Sequence, residues 1–155
     1  MKQLITAVAL LLLQVSIGNA QENTLRLKHF NIEDHLAIQG YDPVAYFKQQ
    51  QAVKGRKGLA VSHQGVLYYF SSAANKEEFK KNPSQYEPQY GGWCAYAMGY
   101  KGEKVSIDPK TFKITNGRLY LFYNKFFNNT LTEWNKDEKG LQPKADGNWK
   151  KTIGS

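Results

Sequence analysis

The residues able to do chemistry are few. Cys94 is the only thiol. Met98 lies four residues on, and in a helix that spacing puts thiol and thioether on one face. Thiolate and thioether make a soft pair suited to Cu(I), although the same spacing describes a plain core stripe. His63 is the best placed of three histidines, because its strand leads through a hairpin toward a helix start at Ser71. Imidazole is a common metal ligand and general base. Cys94, Met98 and His63 therefore form the candidate metal set, for a soft or borderline ion such as copper or zinc. A second set, Tyr41, Asp42, Tyr90, Gly91 and Gly92, can line a small-ligand pocket. The glycines allow close backbone approach, which serves a ligand or a tight turn beside Trp93.

Other chemistry lacks a pattern. The chain holds no P-loop, GxGxxG, HExxH or GxSxG motif. One cysteine excludes an internal disulfide and an all-cysteine zinc site. Cys94 itself has three readings: a buried small hydrophobe, a metal or redox group, or half of a disulfide between chains. A Cys94–His63 nucleophile pair has no motif behind it, so no catalytic residue is assigned.

These residues must be held by one domain. The chain has 155 residues, of which 41% are hydrophobic and 14% aromatic, enough for a packed core. Residues 1–20 read as a signal peptide: Lys2, an apolar stretch from Leu4 to Ile17, then Gly18-Asn19-Ala20. The stretch is shorter than the roughly 20 residues a membrane span needs. The mature chain would begin at Gln21 as a single domain over 21–155, exported, periplasmic or secreted, with no remaining transmembrane span. The lysine- and asparagine-rich composition points to a bacterial periplasm. Net charge is +8, but only Arg26, Arg56 and Arg118 among the 21 basic residues are arginine. Scattered lysines describe a solvated surface, with loose attraction to anionic lipid or polysaccharide as the other reading, and exclude nucleic acid as the expected partner.

The expected fold is α+β, a small antiparallel sheet of two hairpins with three or four packed helices. Gln21 to Ile32 reads as a loose arm or edge strand. Asp42 and Pro43 start a short helix. Leu59–His63 and Val66–Phe70 form a hairpin through Gln64-Gly65. Ser71-Ser72 caps a helix that runs to about Asn82 and ends at Pro83. Trp93 to Met98 is expected helical, stopped by Gly99. A second hairpin turns at Asn116-Gly117. Its second strand puts Leu119, Leu121 and Tyr123 on one face and Tyr120 and Phe122 on the other. Asn124 to Lys139 reads as a helix, and Gly140 to Ser155 as an irregular tail anchored by Trp149.

Several of these pieces together resemble the YHS domain family. They are Gly40-Tyr41-Asp42-Pro43-Val44-Ala45-Tyr46-Phe47, Tyr69-Phe70-Ser71-Ser72, Asn75 with Phe79, Asn82-Pro83, Tyr86, and Pro88 through Ala95. Asn116 to Tyr120 and Ala145 to Trp149 look like the longer, exported form of the family, with a YHS core of about 40–98 and a C-terminal extension. The resemblance implies metal binding through cysteines. Ala45, Ser71 and Asn75 stand where those cysteines align, so the family's thiolate site is expected to be absent. Ser71, Ser72 and Asn75 suit helix capping instead.

The resulting expectation is an exported small YHS-domain protein that binds a metal ion or small ligand and is not evidently catalytic. One alternative is a metal-free interaction or structural module with an envelope protein partner. Another is a redox enzyme built on Cys94.

Overall fold

The computed structural model describes residues 21–154. The expected signal peptide at 1–20 lies outside the described residues.

The fold is α+β, as the sequence implies. Helix α1 covers residues 21–29. This corrects the expected loose arm; Arg26 holds the helix down through an ion pair with Glu87 and a stack on Phe30. Strands β1 (Ile32–Glu33), β2 (Leu36–Ala37), β3 (Arg56–His63) and β4 (Val66–Phe70) form one sheet in the order β1-β2-β4-β3. The β3–β4 hairpin is antiparallel through Gln64 and Gly65, as expected, while β2 joins β4 in parallel. Helix α2 (Pro43–Lys48) begins on Asp42, and α3 (Ala73–Lys81) begins on Ser72, whose hydroxyl accepts from the Asn75 N–H. A short α4 (Pro83–Tyr86) follows, then a tight turn over Gln89–Gly92.

The second half departs further from expectation. Helix α5 spans Ala95–Lys101, running through Gly99 to a left-handed Gly102. Gly99 is there for packing: a Cβ on it would lie 2.8 Å from the Leu141 carbonyl oxygen. Strands β5 (Asp108–Thr115) and β6 (Arg118–Phe122) form the expected Asn116-Gly117 hairpin. Residues 124–129 are not helical. They make a third hairpin, β7 (Asn124–Lys125) with β8 (Asn128–Asn129), and only then does α6 (Thr130–Lys136) begin, capped by the Asn129 side chain.

The irregular tail is also overturned. Residues 138–153 form α7 (Glu138–Ile153), the longest helix among the described residues. Gly140, Pro143 and Gly147 lower its intrinsic propensity. The Asp137 carboxylate caps its start, and burial of Leu141 and Ala145 supplies what propensity does not.

Strand β6 divides two cores. Leu119 and Leu121 face a first cluster with Tyr46, Tyr68, Phe70 and Phe79. Tyr120 and Phe122 face a second cluster with Met98, Trp134, Leu141 and Ala145. Both faces are closed, as the strand's doubly apolar pattern requires.

Candidate functional site

Asp42 is wholly buried, and among the described residues it stands in no ion pair. Its Oδ1 accepts from the N–H groups of Val44 (2.9 Å) and Ala45 (3.2 Å), opening α2. Its Oδ2 accepts from the Ser71 N–H (2.7 Å), the Ser71 hydroxyl (2.6 Å) and the Asn75 amide (2.7 Å). Five donors thus satisfy one carboxylate, an arrangement that offsets the cost of burying its charge. Ala45, Ser71 and Asn75, the three positions at which the resemblance led us to expect cysteines, all donate to Asp42. The donor set does not fit a soft metal ion. Ala45 has no ligand atom, and the Ser71 and Asn75 protons point at the carboxylate.

The other expected site residues are distributed as follows. Cys94 is buried, with Sγ 3.3 Å from the Thr130 hydroxyl and 3.4 Å from the Tyr123 N–H. It is the N-cap of α5, not a helical residue, so the four-residue spacing does not align it with Met98. Cys94 belongs to the first core cluster and Met98 to the second. His63 lies at the end of β3 with its ring edge-on to Phe79, centroids 6.1 Å apart. Among the described residues no group of three or more His, Cys, Asp or Glu side chains is placed to hold a metal ion. Tyr41 is half-buried beneath the Lys54 ammonium, 4.7 Å from its ring centre.

Tyr90 and Gly91 do line an open cleft, of about 520 Å³. Its aromatic wall is Phe30 and Trp149, with ring centroids 6.0 Å apart. Arg118 and Lys150 supply positive charge at its border. The two carboxylates of the cleft are already engaged. Asp146 accepts from the Tyr90 hydroxyl at 3.0 Å, and Glu87 accepts from Arg26 and, at 2.6 Å, from the Tyr68 hydroxyl. Burial, then the neighbouring Asp146 charge, pushes the Tyr90 phenol far above its ordinary range, so it stays a donor at any physiological pH. Likewise, burial first and then Glu87 hold the Tyr68 phenol neutral. Gly91, at φ +60°, is a packing requirement: a Cβ there would lie 2.8 Å from Phe30 and 2.9 Å from Trp149. Gly92 turns behind the cleft, its carbonyl accepting from the Asn31 amide.

Fold and cleft together define a small α+β scaffold with an aromatic, cation-edged groove. The profile of the YHS domain matches residues 44–90, from α2 through β3, β4, α3 and α4 to Tyr90. The family is one associated with metal binding. No curated protein and no solved structure matches the chain. The match is narrower than the 40–98 core read from the motifs, and it leaves Cys94 and Met98 outside.

Sequence reasoning missed Phe30, Arg118, Asp146, Trp149 and Lys150 as one constellation. They come from α1's exit, β6 and α7, and the sequence pattern of α1 and α7 does not announce a helix. The one available signal was Trp149, a lone large aromatic in a polar tail.

Proposed function

We propose that the chain is an exported, non-catalytic binding protein whose Tyr90 cleft holds a small organic anion with a flat apolar part. The carrying observation is the convergence of Phe30 and Trp149 with Arg118 and Lys150 in one open cleft. Apolar walls with a few convergent polar groups are the ordinary form of a small-ligand site. Among the described residues the cleft's carboxylates are taken by Tyr90, Tyr68 and Arg26, while neither Arg118 nor Lys150 stands in an ion pair. An anion is therefore the complementary guest. The Asp42 network supports a scaffold that holds its YHS segment without metal. The lysine, apolar stretch and small residues of positions 1–20 support export.

The test is a melting-shift panel of benzoate, phenylacetate and phenyl phosphate on the chain from Gln21, with Arg118→Gln/Lys150→Gln beside it. Saturable stabilisation is expected, with affinity weakened about tenfold or more in the double variant. No shift with any probe, or an equal response in the variant, contradicts the reading. A Cu(I) and Zn(II) titration is expected to show no one-to-one site that depends on Cys94. Such a site, lost in Cys94→Ala, would restore the metal reading.

A further inference from the structure

The β7–β8 hairpin turns on Phe126 and Phe127. Both have positive φ, 53° and 63°, and they are 89% and 112% exposed. The two longer hairpins place Gln64-Gly65 and Asn116-Gly117 at the same left-handed positions. Such turns favour Asn-Gly because the left-handed region strains residues with a Cβ. Two phenylalanines there combine backbone strain with full exposure of apolar rings, so nothing within the fold accounts for them. Tyr100, 62% exposed, belongs to the same side of the molecule: it lines a second open cleft with Tyr123, which precedes the hairpin, and Asn128, which opens β8. Of the four exposed large hydrophobic residues among those described, three are therefore grouped here.

Charge identifies the occupant. Lys125 precedes the tip and is exposed; Lys101 lies over the Tyr100 ring and lines the same cleft. Glu103 is the carboxylate of that cleft, and nearby Glu133 is paired with Lys136 at 2.7 Å. The chain as a whole carries +8. A protruding pair of rings flanked by lysines matches a surface that is soft, apolar within and anionic at its face.

We propose that the Phe126–Phe127 tip, with Tyr100, Lys101 and Lys125, docks the protein on an anionic lipid surface. The rings enter the interfacial zone and the ammonium groups remain among the headgroups. A bilayer fits better than a protein partner because the feature is a narrow projection rather than a broad flat patch.

Co-sedimentation with vesicles tests this. The chain from Gln21 is used, since it contains both core clusters while the apolar stretch of residues 4–17 would itself enter lipid. Vesicles are equal parts phosphatidylcholine and phosphatidylglycerol, or phosphatidylcholine alone. The variant Phe126→Asn/Phe127→Gly removes the rings and restores an ordinary hairpin turn, so it should melt no lower than wild type. Wild type should bind the phosphatidylglycerol vesicles, more weakly at high salt, and far less the neutral ones. The variant's partitioning should fall about tenfold or more. Absence of binding to phosphatidylglycerol vesicles, or equal binding by the variant, overturns the proposal. Self-association that the variant abolishes, without vesicle binding, would reassign the tip to a protein contact.

Discussion

Asp42 shows how one residue can organise three elements. Its two oxygens collect donors from α2, from the β4–α3 junction and from the first turn of α3. Capping at Asp42 was legible in the sequence, because Asp before Pro is a helix-start signal. The convergence of Ser71 and Asn75 on it was not, since those contacts span 29 and 33 residues of chain. Cys94 belongs to the same scale. Its thiol touches Thr130 and the Tyr123 N–H and is fully buried, so Cys94→Ala should lower stability by about 1–2 kcal/mol, measured by urea unfolding. Native protein should react with a thiol reagent only after denaturation. Rapid native labelling would instead favour the redox reading of Cys94. Gly91→Ala forces a Cβ against Phe30 and Trp149 at positive φ. It should lower the melting temperature measurably, by about 1–3 kcal/mol of stability, and disturb the cleft's aromatic wall.

At the scale of elements, local signals were read well and long-range ones were not. Gln64-Gly65 and Asn116-Gly117 announce their hairpins because turn geometry is local. The alternation in β6 announced its two buried faces for the same reason. The third hairpin was hidden by Phe126-Phe127, which carry no turn signal, and by Phe127, Leu131 and Trp134, which mimic helical spacing. Helix α7 was hidden by Gly140, Pro143 and Gly147, whose cost is overridden by packing on α5. Glu138 joins α7 to β5 and α6. It accepts from Lys113 (2.7 Å), Thr115 (2.9 Å) and Trp134 (3.1 Å). Burial works to raise its pKa, but these three bonds outweigh burial and leave the carboxyl below its ordinary value. A depressed carboxyl gives stability that is complete above the unfolded pKa and lost as pH falls through the folded one. Wild type should therefore outmelt Glu138→Gln at neutral pH, and the gap should close in acid. A gap that widens in acid would show that the bonds do not favour the ionised form.

The whole molecule is larger than the segment matched by the YHS family model. The YHS segment ends at Tyr90, yet Trp134, Leu141 and Ala145 complete the second core, and Trp149 closes the cleft. A chain ended after Lys136 should lose cooperative thermal unfolding, because Met98, Tyr120 and Phe122 would lose the covering of α7. A sharp transition retained in that truncation would mean that the two cores fold independently. Among the described residues no helix is long and apolar enough to cross a membrane. The motifs that resemble the YHS family lie on and around the matched residues 44–90, but the cleft draws on elements outside them, which is why only Tyr90 and Gly91 of its lining were anticipated.

The Asp42 carboxylate ties α2 to α3. The most direct measurement is the melting temperature of wild type and Asp42→Asn, each with and without a strong chelator. Asparagine keeps the shape but turns an amide toward the donors that Oδ1 and Oδ2 now satisfy. A loss of about 3 kcal/mol, or about 10 °C, is expected for the variant, with no effect of chelator on either protein. A wild type that melts lower in chelator, or a variant that melts with wild type, would contradict it.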